Sequence, residues 1–255
     1  MYLGARAYSL EDVEFLAEAG FDFAEVEWRD PDLVRPQIDD LVMLCAKYDI
    51  ALFAHGPKEG NPFGTDHHAT WLEPTVNELL ELAGEMSISV YTQHLWLDAR
   101  FVSAEVVSAK IDLLDRWTQR AQQIGVTLCI ENLSEHADHF APAFEQVDGL
   151  TLTLDLGHGQ ILPPADTGNA SFELVARFAD RIRHVHLHDN LGGDRSKDDL
   201  HLPIGHGTVD FPGILDALHK TGYDGGFSLE VSLEHVKRGR DLVRKMWNAV
   251  RCPSS

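Results

Sequence analysis

Positive charge is scarce in this chain. Lys and Arg number 21 against 41 Asp and Glu, a net charge of −20 over 255 residues. Nucleic-acid backbones are dense lines of negative charge, and proteins that hold them present a basic face. Steering toward DNA is therefore disfavoured here. Cysteine is also rare. Cys45, Cys129 and Cys252 lie far apart with no CxxC pair, which fits reduced thiols in a cytoplasmic protein, Cys45 and Cys129 in the core. No apolar run approaches the roughly 20 residues a membrane span needs. The N-terminus lacks the basic-then-apolar pattern of an export signal, since MYLGARAYS already reads as a strand. Walker and dinucleotide glycine patterns, GxSxG and a Cys–His nucleophile arrangement are all missing.

What is present is a regular alternation. Hydrophobic residues make up 44% and charged residues 24%, an ordinary globular balance. Short β-rich runs at 2–7, 23–28, 50–55, 88–95, 126–132, 150–155, 182–188 and 226–231 alternate with stretches of helical period. Helices are expected at 10–19, 36–48, 68–86, 103–124, 171–180, 211–221 and 234–250, with Ser9, Ser103 and Ser171 as N-caps. Gly20, Gly125 and Gly222 are placed to end helices in a left-handed turn. Eight strands in βα units predict an α/β fold, a single-domain (β/α)8 TIM barrel over residues 1–255. Two loops, 56–67 and 190–209, exceed a tight turn and are expected to wall or cover a pocket.

A parallel barrel brings the C-terminal ends of its strands to one rim. Six of these ends carry a metal-capable side chain: His55, His94, Glu131, Asp155, His186 and Glu230. Glu131 and Glu230 each end an apolar strand, and a buried unpaired carboxylate needs a cation or strong donors. Neither strand carries a basic neighbour, so a divalent cation shared by Glu131, Asp155, His186 and Glu230 is expected in preference to a structural ion pair. In HVHLHD, alternation puts His184, His186 and His188 on one face. Of these, His186 is expected to ligate, His188 and Asp189 to support it from the rim, and His184 to lie deeper. Glu27 is a further pocket acid or a loop anchor. Trp96, beside His94, is a candidate for stacking on a sugar ring or for closing the barrel top.

The motifs IEN, DxGH, HxHxxDN, PxGxGxxDF and SLE follow one another between Ile130 and Glu230. In this order, and with His55 ahead of them, they resemble the xylose-isomerase-like TIM barrel superfamily. That superfamily includes sugar and sugar-phosphate isomerases and epimerases as well as endonuclease IV-like enzymes (AP endonuclease family 2). The resemblance to the first branch implies one divalent ion, manganese or zinc, on Glu131, Asp155, His186 and Glu230. There Glu131 and Glu230 would move the proton as an acid/base pair through a cis-enediolate, and His158 would contact substrate. Resemblance to the second branch implies two or three zinc ions, adding His55, His94, His158, Asp199 and His201 as ligands of a phosphodiesterase. The chain departs from the pattern at His206, where the family's GEG has glutamate. No arginine follows HDN where several ketose epimerases grip substrate, and Arg195 is the nearest candidate. The expected function is a metal-dependent isomerase or epimerase of a small sugar or sugar phosphate. Neither nucleic acid nor membrane is expected as a partner, and the barrel is compatible with a homo-oligomer.

Overall fold

Eight parallel strands pair in sequence order, and the last closes on the first, as a barrel. They are β1 (Tyr2–Ala7), β2 (Phe23–Glu27), β3 (Ala51–His55), β4 (Val90–His94), β5 (Thr127–Glu131), β6 (Thr151–Asp155), β7 (Ile182–Leu187) and β8 (Gly226–Leu229). The principal helices are α1 (Leu10–Glu18), α2 (Ile38–Tyr48), α3 (Glu73–Glu85), α4 (Ala104–Gln123), α5 (Ala137–Gln146), α6 (Ser171–Phe178), α7 (Phe211–Lys220) and α8 (Leu233–Arg251). The computed structural model describes residues 1–165 and 168–251, so Cys252 lies outside the described residues. Among those described, no helix is long and apolar enough to cross a membrane.

Local chemistry explains most element ends. Ser9 and Ser103 cap α1 and α4, their hydroxyls accepting from the amides of Asp12 and Val106. Gly20, Gly125 and Gly222 take φ of +78°, +75° and +81°, a region in which a side chain would be strained. Ser171 is not a cap. It is the first helical residue of α6, and Asn169 Oδ1 accepts its amide at 2.8 Å. The expected 68–86 helix is divided, a wide π turn at His68–Leu72 preceding α3, whose Pro74 sits in the first turn where no amide is needed. Helix α5 is not among the expected helices; it carries Pro142 inside it, where proline normally ends a helix.

The barrel interior is layered. Its floor is Phe23, Phe53, Val90 and Cys129, with the two phenyl rings stacked at 4.1 Å. A Cβ on Gly4 would stand 2.3 Å from the Phe23 ring, so glycine there makes room for the floor. His184 lies edge-on to Phe53 at 5.1 Å. Above it Thr92 and Thr153 share a hydrogen bond at 2.8 Å beside buried Glu25 and Ser228. The outer faces of the strands pack under the helices in the main hydrophobic cluster. Cys129 is buried in the floor as expected; Cys45 is only partly buried, on α2.

The rim is braced by a carboxyl group with unusual acidity. Glu135 is fully buried, and its carboxyl accepts the amides of Leu97 and Leu133 at 2.7 Å and of Ser134 at 3.0 Å. Burial pushes its pKa up to about 7 against the pull of these amides, and the charge of Asp98 adds to the rise. Because the folded value lies above the unfolded one, the group's contribution to stability is complete below the unfolded pKa and is lost as pH rises through about 7. The full span corresponds to about 3 kcal/mol. Melting of the wild type should therefore fall more steeply than that of Glu135→Gln as pH rises from about 5 to about 8. Parallel curves would show that Glu135 titrates normally.

Candidate metal centre

Six of the eight strands, β3 to β8, each deliver one of the candidate donors to the rim. His55, His94, Glu131 and Asp155 are the last residues of β3 to β6, His186 is the penultimate residue of β7, and Glu230 follows β8 directly. Register fixes their neighbours: His94 lies opposite Glu131, and Asp155 opposite His186.

Glu131 is the hub. Its Oε2 faces His55 Nε2 at 3.1 Å and His94 Nε2 at 2.7 Å. Its Oε1 faces His186 Nδ1 at 3.0 Å and His158 Nδ1 at 3.2 Å. His186 Nδ1 lies in turn 3.2 Å from Glu230 Oε1 and 3.8 Å from Asp155 Oδ2. A second group stands beside the first. Asp199 Oδ2 receives His158 Nε2 at 3.2 Å and His201 Nε2 at 3.1 Å, while His188 Nε2 lies 3.1 Å from Asp155 Oδ1. Every metal-ligand candidate drawn from the sequence is thus within one contiguous cluster. His188, expected only as support, stands with His158, Asp199 and His201 as a possible four-donor group. Gly157 allows this, since a Cβ there would stand 2.2 Å from the His188 ring.

The donors fit a divalent cation. His55, Glu131, His186 and Glu230 each offer one ligand atom, all within 4.8 Å of one another. Asp155 Oδ2, His188 Nε2 and Asp199 Oδ1 are buried without hydrogen-bond partners, an expensive state for polar atoms that a cation would relieve. Nitrogen and carboxylate oxygen together suit zinc or manganese. Electrostatics agree. Burial raises the Glu131 carboxyl, but His94, His186 and His158 hold it well below its usual range. Burial likewise disfavours charge on His186, yet Glu230, Glu25 and Glu131 hold its pKa well above the ordinary imidazole value. His158 is raised in the same way, burial being outweighed by Asp155, Asp199 and Glu131.

Two functional neighbours were not legible in the sequence. Glu25, inside β2, accepts from His186 Nε2 at 2.9 Å and from His184 Nε2 at 3.0 Å. It fixes the His186 ring so that Nδ1 faces the cluster, the usual office of a carboxylate behind a ligating histidine. Glu25→Gln should weaken divalent-metal affinity by about 10–100-fold in a chelator competition; an unchanged affinity would make Glu25 a mere core acid. The other is Arg6 of β1, which pairs with Glu230 at 2.5 Å and Glu27 at 3.0 Å. This corrects the expectation that Glu230 has no basic neighbour. Its partner comes from the adjoining strand across the barrel closure.

Other expectations resolve simply. His184 lies deep, as expected. Glu27 is tied to Arg6 and Arg29. Asp189 is a loop anchor, its carboxylate accepting the amides of Gly205 at 2.8 Å and Val209 at 3.1 Å. It thereby folds the PxGxG loop. Trp96 donates its indole N–H to Ser134 Oγ at 2.9 Å and stacks on Phe101. Arg195 is exposed beside Asp194 and is not part of the cluster.

Comparison with known proteins follows the same architecture. A family model described as xylose isomerase-like TIM barrel matches residues 13–246. An uncharacterized protein of Methanocaldococcus jannaschii is 28% identical, with 91% of this chain and 80% of that protein covered. L-ribulose 3-epimerase of Mesorhizobium japonicum is 24% identical, with 90% of this chain and 79% of that protein covered. Among solved structures, a D-tagatose 3-epimerase-like protein superposes with a TM-score of 0.83 at 23% identity, 98% of each chain being covered.

Proposed function

Because this chain belongs to the xylose isomerase-like TIM barrel family, we propose that it is a divalent-metal-dependent isomerase or epimerase of a small sugar or sugar phosphate, working as a single-domain cytoplasmic enzyme. The observation that carries this reading is the pair of buried carboxylates, Glu131 and Glu230, flanking His186 Nδ1 at 3.0 and 3.2 Å on the C-terminal rim. Similarity to L-ribulose 3-epimerase of Mesorhizobium japonicum supports it.

Glu131, Asp155, His186 and Glu230 would hold the ion. Bound there, a manganese or zinc ion supplies Lewis-acid polarisation of a carbonyl and its neighbouring hydroxyl, which acidifies the C–H between them. The remaining work belongs to the protein. One of Glu131 and Glu230 takes that proton, and the C–H electron pair enters the double bond of a cis-enediolate. The other glutamate returns a proton, to the opposite face in an epimerisation or to the adjacent carbon in an isomerisation. His158 would hold a substrate oxygen from above Asp155. The layered floor below and the loop folded over Asp189 limit access of water.

A second reading is favoured by one observation, the neighbouring His158, His188, Asp199 and His201 group, together with His55 and His94 on Glu131 Oε2. A site of two or three zinc ions would suit phosphodiester hydrolysis. The net charge of −20 opposes a DNA substrate. The test is metal content by elemental mass spectrometry on protein purified without chelator, with ketoses and ketose phosphates incubated in D2O. Deuterium entering the carbon beside the carbonyl, with a new sugar formed, is the expected result. Two or more metals, phosphodiester cleavage and no deuterium uptake would replace the first reading by the second.

A further inference from the structure

Among the described residues, Arg6 is the one guanidinium that reaches a proposed acid/base carboxylate, and the reaction scheme leaves it unused. Its side chain is 10% exposed, held between Glu230 Oε1 at 2.5 Å and Glu27 Oε2 at 3.0 Å. Glu27 is held in turn by Arg29. A planar guanidinium anchored at two points fixes the orientation of a carboxylate in a way a flexible ammonium does not.

The consequence falls on the two oxygens of Glu230. Oε1 is shared by Arg6 and by His186 Nδ1. Oε2 is buried without a hydrogen-bond partner and lies 3.6 Å from His201 Nδ1. A carboxylate that exchanges a proton with carbon needs an uncommitted lone pair in a fixed position. Glu230 has one.

We propose that Arg6 is a positioning residue that engages Glu230 through Oε1 and leaves Oε2 as the oxygen that exchanges a proton with the substrate. In that step an O–H bond forms at Oε2 and the substrate C–H bond breaks. The C–H electrons enter the new carbon–carbon double bond, and the carbonyl oxygen takes the negative charge. The step in reverse restores the carbonyl. The chemistry of this step rests on the isomerase or epimerase reading; the orientation of Glu230 by Arg6 does not.

The test compares Arg6→Met and Arg6→Lys with the wild type, all loaded with Co2+, whose visible spectrum reports donor number and geometry. In Arg6→Met both Glu230 oxygens become free to swing toward the ion, so the spectrum should change while the Co2+ content per chain stays the same. Exchange of solvent deuterium into a ketose should fall by about 100-fold in kcat, with KM changed by less than about threefold. Deuterium at the reacting carbon should slow the Met variant more than the wild type, and Arg6→Lys should recover part of the rate. An unchanged spectrum with an unchanged rate would overturn the proposal. So would metal content and folded fraction falling in step with kcat, which would make Arg6 a structural support. If the wild type exchanges no deuterium with any ketose but the Met variant still shifts the spectrum, the isomerase reading falls and the positioning of Glu230 stands. If neither is seen, both fall.

Discussion

Glu131→Gln is expected to lower turnover by about 10²–10⁴-fold, the usual worth of a positioned acid or base. The substitution is nearly isosteric, so the barrel should stay folded while the charge disappears. That charge is the common partner of His55, His94, His158 and His186, with contacts of 2.7 to 3.2 Å. Metal content should fall too, because the carboxylate belongs to the His55, Glu131, His186 and Glu230 donor group. The measurement is deuterium exchange and elemental analysis on the same preparation, with near-ultraviolet circular dichroism to confirm the fold. Turnover within about tenfold of wild type would remove Glu131 from the acid/base pair. Activity lost while the fold persists would also dismiss a non-catalytic, sugar-binding role for the barrel.

The largest loss of stability should follow Lys110→Met. Lys110 of α4 is fully buried, its Nζ 2.5 Å from Glu59 Oε1 and 2.7 Å from the Trp96 carbonyl. Burial lowers its pKa against the opposing pull of Glu59, so the pair is held together under a real desolvation load. Glu59 also accepts the Trp96 amide at 2.9 Å and lies 2.9 Å from His68 Nε2. This arrangement ties the loop after β3 to the loop after β4. Removing the ammonium leaves a buried carboxylate without its main countercharge, a change that costs about 3–5 kcal/mol. For a chain of this size that is a drop in Tm of roughly 10 °C. The double variant Glu59→Gln/Lys110→Met should recover much of it, since no charge is then stranded. A loss below about 1 kcal/mol in the single variant would show that water or His68 compensates Glu59.

Much of this molecule follows from local pattern. The alternation of β-rich and helical stretches marks every strand of the barrel, because strand and helix periods are properties of a few neighbouring residues. The positions of His55, His94, Glu131, Asp155, His186 and Glu230 at strand ends follow from the same reading, and parallel topology then brings them to one rim. Where local pattern misled, a local rule was overruled. Pro142 sits within α5, which packs Phe140 and Phe144 into the core. Ser171 has the residue type of a cap, but Asn169 receives the amide in its place.

The sequence by itself determined the barrel and the set of donors on its rim. Only the tertiary structure decided which of them face one another. Arg6 meets Glu230 across 224 residues, His186 meets Glu25 across 161, and His94 meets Glu131 across 37. A strand residue's inward or outward sense is local, but its partners depend on register and on the closure of β8 against β1. A cluster of carboxylates therefore looks the same in sequence whether a guanidinium, an imidazole or a metal ion neutralises it. Here Arg6 and the histidines meet part of that charge, and the buried Asp155 and Asp199 oxygens without a hydrogen bond mark the part left for a cation.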